Sequence, residues 1–139
     1  MAWGIRTTRQ VGGYLEVLYS SANADLKVSI VLDATSVAAD VNGDRILKAG
    51  TVLTKNATTH QYERYTGTAP QTTAGIAGIL ATDEVFPTND TRSDRDSQMW
   101  NHGQQFRSDR IVDWATAPAT GTGTIGAQAK AALPTCQFK

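Results

Sequence analysis

Residues 26–33 (LKVSIVLD) alternate along an extended chain. Leu26, Val28, Ile30 and Leu32 fall on one side, and Lys27, Ser29 and Asp33 on the other, with Val31 the exception. A period of two is the pattern of a strand with one face buried. Shorter runs repeat it: residues 14–19 (YLEVLY), 51–54 (TVLT) and 61–66 (QYERYT) each predict a strand. Residues 75–81 (GIAGILA) are apolar throughout, and their glycines suggest a bend or a close backbone approach. One more strand is predicted around Ile111, within residues 106–114.

Turn chemistry separates these runs. SSANAD follows YLEVLY, and TGTAPQTTAG occupies residues 66–75. Asn42-Gly43 predicts a tight turn because both residues tolerate positive φ, and Lys48-Ala49-Gly50 predicts a bend. Residues 83–103 are polar and long and predict an excursion between core strands. The repeated RSDR at 92–95 and 107–110 is expected to form two solvated loops of mixed charge. Near the end the period changes. Ile125, Ala129 and Ala132 or Leu133 share one helical face, and Pro134 stops the run, so a short helix is predicted over 125–133. Many short strands and one late helix predict a mainly β domain over residues 14–139. Residues 1–13 stand apart as an extended N-terminal arm, polar and glycine-ended, with Trp3 and Ile5 as its apolar anchors.

At 139 residues the chain has a single-domain length. Such a chain buries roughly two-thirds of its unfolded surface and can fold alone. Thirteen basic residues balance thirteen acidic ones. Zero net charge argues against a protein whose main task is to coat nucleic acid. A single cysteine, Cys136, allows no intrachain disulfide. No apolar run approaches the roughly 18 residues of a membrane helix, and MAWGIRTTRQVGG lacks the apolar core of a signal peptide. A cytosolic origin is expected, with no membrane or nucleic-acid partner. The N-x-T sequons at Asn56 and Asn89 are then expected to be idle.

Four motifs carry candidate chemistry. Gly121, Gly123 and Gly126 match G-x-G-x-x-G ahead of the predicted helix. A dinucleotide site also needs a preceding strand, a following parallel strand and a carboxylate about 20 residues on. Only 13 residues follow Gly126, and no Asp or Glu occurs after Asp113, so a flexible link into a helix is expected. DVNGD (Asp40, Asn42, Asp44) imitates the start of a calcium loop, but Arg45 and Thr51 occupy the positions where an EF-hand needs glycine and glutamate. A hairpin turn is expected instead. Cys136 with His60 or His102 would be a thiol and base, yet Cys136 sits four residues from the terminus without a local signature and is expected to be structural. Asp83, Asp94 and Asp96 lie among Arg92 and Arg95, as in a solvated ion-paired loop rather than an acid–base pair. No catalytic residue, metal or cofactor is expected.

Residues 33–53, DATSVAADVNGDRILKAGTVL, resemble a segment of the head decoration (capsid cement) proteins of tailed bacteriophages. In those chains an apolar strand leads into a G-x-x-I-x-A-G-T-V-L bend. A tyrosine-bearing strand follows (here QYERY), then a G-I-L segment (Gly78-Ile79-Leu80) followed by Asp83, and an alanine-rich helix with a short apolar tail (AKAALPTCQFK). The likeness runs in order over residues 25–138, and residues 84–104 are longer than in the simplest members. The resemblance implies a compact β-barrel or β-tulip-like domain, without enzymatic activity, that is usually a homotrimer. Its partner would be the major capsid protein, on the outer capsid surface of a virion made in the host cytoplasm. Trp3, Ile5, Arg6 and Arg9 are the expected capsid-binding residues, since an arm can add a strand to a partner's sheet edge. Val85 and Phe86, apolar residues in the polar insertion, are the expected oligomer contacts. Two other classes stand beside this one: a tail or head-fibre base domain, and a small ligand-binding β-barrel.

Overall fold

The computed structural model describes residues 17–20, 22–88 and 94–139. The chain is mainly β, with a short helix near its C-terminus. Five strands close a barrel: β1 (Val28–Leu32), β3 (Val52–Lys55), β4 (Tyr62–Arg64), β5 (Ile76–Leu80) and β7 (Arg95–Trp100). Their order around it is β1-β4-β3-β5-β7. All pairings are antiparallel except β1 with β4, which meet in parallel at Leu32 and Tyr62. Two small ribbons flank the barrel. β2 (Arg45–Leu47) pairs antiparallel with β6 (Glu84–Phe86), and β8 (Gln105–Phe106) pairs parallel with β9 (Gln137–Phe138).

The barrel explains two different sequence textures. In β1, Ile30 and Leu32 point into the core while Ser29 and Val31 stay exposed, so these positions alternate; Leu26 and Val28, expected on the same buried face, are exposed. In β3, β5 and β7, neighbouring residues enter two different apolar clusters. Leu53, Leu80 and Met99 join Ile30 and Leu32 in one cluster, closed off by Leu47 and Phe86 from the β2–β6 ribbon. Val52, Ile79 and Trp100 face the other way, into a cluster with Phe106, Ile111 and Cys136. Strands covered on both faces carry apolar residues continuously, which is why GIAGILA shows no alternation. Its glycine is a close approach, as expected: a Cβ on Gly78 would stand 2.7 Å from the Trp100 carbonyl of β7.

The second cluster is covered by α1 (Ile125–Ala132), which buries Ile125 and Ala129 and ends at the buried cap residue Leu133. Thr124 caps its start, accepting a hydrogen bond from the Ala127 amide at 3.1 Å. Such a cap is worth about 1 kcal/mol.

Two expectations fail. Residues 83–103 are not an excursion: they supply β6 and all of β7, the strand that closes the barrel against β1 over five register pairs. The signal was weak because Arg95, Asp96 and Gln98 face solvent, and the inward Ser97 is polar. Arg95 of the first RSDR is therefore a strand residue. No strand forms around Ile111. Its segment opens with β8 and continues as a 3-10 turn over Ser108–Arg110 that delivers Ile111 to the core. Of the predicted strand over 14–19, residues 14–16 lie outside the described residues, and Leu18 makes only an isolated bridge to Phe106. The arm, residues 1–13, also lies outside them.

Candidate binding surface

The glycine motif sits in front of a helix whose first amides are already used. The Ile125 amide donates to the Thr116 carbonyl at 2.9 Å and the Gly126 amide to the Trp114 carbonyl at 3.0 Å. The Ala127 amide goes to the Thr124 hydroxyl and the Gln128 amide to the Thr124 carbonyl. A phosphate at a helix N-terminus needs those donors free. Gly126 has a different reason to be glycine: a Cβ there would lie 2.6 Å from the Trp114 carbonyl oxygen and 2.7 Å from the indole Cε3, well inside contact distance. Gly126 is thus a packing position between α1 and Trp114, while Gly121 and Gly123 give the preceding link its left-handed backbone, at φ +93° and +80°.

DVNGD forms a tight turn, though not the expected hairpin, since β2 after it pairs with β6. The Asp40 carboxylate accepts from the Asn42 and Asp44 amides at 2.8 and 3.0 Å, and the Gly43 amide donates to the Asp40 carbonyl at 3.0 Å. Gly43 has φ +84°, the left-handed region that favours glycine. Among the described residues no group of three or more His, Cys, Asp or Glu side chains is placed to hold a metal ion. Cys136 is a buried core residue, whereas His60 and His102 are exposed.

Asp83, Glu84 and Asp94 are structural clamps, and Asp96 is exposed. Asp83 accepts from the Ala49 amide at 2.7 Å. Asp94 accepts from the Ala34 amide at 2.9 Å and from the Gln61 side chain. Glu84 accepts from the Ser97 hydroxyl at 2.6 Å and lies 3.4 Å from the Arg95 guanidinium, tying β6 to β7.

Sequence reasoning missed Arg45. The side chain is 4% exposed. Its Nε donates to the Val37 carbonyl at 2.9 Å, one terminal nitrogen donates to the Pro87 carbonyl at 2.6 Å, and the other donates to the Ala34 carbonyl. The guanidinium carbon sits 5.6 Å from the Phe86 ring centroid. A rigid fork of donors suits three carbonyls spread over two chain segments. Only the fold brings residues 34, 37 and 87 around one side chain, so no local signal exists.

Arg45 and its neighbours fix an outward-facing apolar pair. Because Arg45, Leu47 and Phe86 turn inward, alternation sends Ile46 and Val85 outward. They are register partners on β2 and β6, at 38% and 58% exposure. Cross-strand partners stand about 5 Å apart, so the two form one patch. Val41, in the turn leading to β2, is fully exposed. Val85 thus faces solvent as expected. Phe86 does not: at 1% exposure it is a core residue under Arg45 and Arg95, because the next position along a strand points the opposite way. Trp3, Ile5, Arg6 and Arg9 lie outside the described residues.

A second surface lies over the outer face of β1 and β7. An open basin of about 790 Å³ is lined by Ser29, Val31, Lys55, Tyr62, Asp96 and Gln98, among others. The barrel beneath it is packed with the side chains of the first cluster. No protein-family model matches the chain, and no curated protein matches it.

Proposed function

We propose that the protein is a non-enzymatic virion structural protein that binds the outside of a capsid shell and stabilises it. The reading has it act as a homotrimer on the major capsid protein. The ordered resemblance to head decoration proteins carries it. The motifs of that resemblance lie at structural joints: the A-G-T-V-L bend leads into β3, QYERY contains β4, and Gly78-Ile79-Leu80 ends β5. The solvent-facing Ile46–Val85 pair adds support, because an apolar pair gains more at a protein contact than in water.

In this reading the arm anchors the protein. Trp3 is the main contact, in the manner of a buried aromatic hot spot worth roughly 2 kcal/mol or more. Arg6 and Arg9 contribute less at a solvated rim. The test is a pull-down of purified variants with undecorated particles, with circular dichroism to check folding. Deletion of residues 2–11 is expected to leave a folded barrel that no longer binds. Trp3→Ala is expected to weaken binding more than Arg9→Ala. A folded truncation that binds as well as the full chain would move the anchor to the barrel body. Failure of the intact protein to bind any such particle would refute the function.

A further inference from the structure

We infer that Asn42 is a site of spontaneous covalent modification, converting to aspartate and isoaspartate in the folded protein. The inference does not depend on the function proposed above. The chemistry requires a backbone amide nitrogen that can approach the side-chain carboxamide of the preceding asparagine. Asn42 is followed by Gly43, and both are exposed. A Cβ at Gly43 would meet nothing within 4 Å, so the space around the reacting atoms is open to water and base.

The other described asparagines are differently placed. The Asn56 Oδ1 accepts from the Thr58 and Thr59 amides at 2.8 and 3.0 Å, which holds its carboxamide as a turn cap. The Asn23 Nδ2 donates to the Gly103 carbonyl at 3.2 Å. Asn101 is half-buried and precedes histidine, whose side chain crowds the attacking nitrogen. Asn42 alone among the described asparagines joins exposure to a following glycine.

The reaction balances without an oxidant or a cofactor. Solvent base removes the Gly43 amide proton, and the nitrogen attacks the Asn42 Cγ. The new N–Cγ bond closes a five-membered imide, the Cγ–Nδ2 bond breaks, and ammonia leaves with a proton from water. Water then opens the imide. Cleavage of the N–Cγ bond gives aspartate. Cleavage of the bond to the main-chain carbonyl carbon gives isoaspartate, with the backbone now running through Cβ and Cγ. Either product adds one carboxylate, so thirteen basic residues face fourteen acidic ones and the formal net charge moves from zero to minus one.

Asp40 sets the rate. Its carboxylate fixes the Asn42 and Asp44 amides, and its carbonyl accepts the Gly43 N–H that must be removed. Its negative charge also opposes deprotonation of a neighbouring amide. The loop therefore has to open before attack. Removing the Asp40 side chain takes away both of its carboxylate hydrogen bonds and speeds the reaction at least about fivefold, the factor that one of them is worth.

The test ages the full-length protein at mildly alkaline pH and follows it by ion exchange and peptide mapping. Isoaspartate is identified by labelling with a protein isoaspartyl methyltransferase. Asn42 is expected to convert before every other asparagine, with isoaspartate among the products. Asn42→Gln should abolish the first acidic species, and Asp40→Ala should form it faster. Circular dichroism before ageing establishes that each variant is folded. The inference is overturned if Asn42 stays intact while another asparagine converts, or if it converts only in urea. It is equally overturned if Asn42→Gln leaves the first acidic species in place.

Discussion

Replacing Arg45 by methionine should destabilise the protein by about 3 kcal/mol. Methionine keeps an unbranched apolar stem against Phe86 but removes every donor. Three carbonyls lose the guanidinium: Ala34, Val37 and Pro87. Pro87 is an exposed residue, so water replaces its donor. Ala34 and Val37 are 0% and 7% exposed, and their carbonyls stay dry. The Val37 carbonyl is stranded, at about 1–3 kcal/mol, and the Ala34 carbonyl keeps the Val37 amide at 3.4 Å but loses a charge-assisted bond worth about 1.5–3 kcal/mol. Methionine recovers part of that, because the guanidinium no longer has to leave water. The net of about 3 kcal/mol corresponds to roughly 10 °C in melting temperature for a chain of this size. Arg45→Lys keeps the charge but not the fork, and one ammonium cannot span carbonyls from both segments. It should therefore also lose stability. Urea unfolding followed by tryptophan fluorescence reads both variants, since Trp100 is fully buried and its indole donates to the Ala24 carbonyl at 3.0 Å. An unchanged m-value would place the effect in stability rather than in the compactness of either state. If Arg45→Met unfolds within about 0.5 kcal/mol of the parent, the ordinary range for surface changes, the clamp does not hold the ribbon to the barrel. If Arg45→Lys matches the parent, charge rather than fork geometry is what matters there.

Gly126→Ala should cost about 1–3 kcal/mol despite alanine's helix propensity, because its Cβ would press on the Trp114 backbone, which cannot rotate away; a melting temperature at or above the parent's would refute this. Val85→Glu should leave stability within about 0.5 kcal/mol, since the side chain points to solvent. On decorated particles it should reduce occupancy, and full occupancy by imaging would remove the Ile46–Val85 pair from the proposed contacts. Calorimetry with NAD or ATP should show no heat, because the amides at the start of α1 are committed to Thr116, Trp114 and Thr124; a micromolar dissociation constant would overturn that assignment.

Local chemistry decided much of this fold, and it was readable wherever one stretch of chain contained the whole cause. The alternation of residues 26–33 placed β1 and its inward Ile30 and Leu32. Asn42-Gly43 made its turn because the φ of +84° at Gly43 is open to glycine by its own chemistry. The Ile125, Ala129 and Leu133 spacing, with Pro134 behind it, set the helix and its buried face. What depended on residues distant in sequence was not readable. Polar composition marked 83–103 as an excursion, yet β7 closes the barrel, because pairing with β1 satisfies its backbone and Glu84 satisfies Ser97. Phe86 looked exposed in a polar stretch. It is buried because β6 pairs with β2 in a register that turns Phe86 inward beside Arg45. The clamp itself spans residues 34, 37, 45 and 87, and the outward Ile46–Val85 pair is its geometric counterpart. A sequence specifies backbone preference and periodicity position by position. Which polar groups meet in the interior, and which apolar ones are left facing outward, is decided by strand register and ring closure.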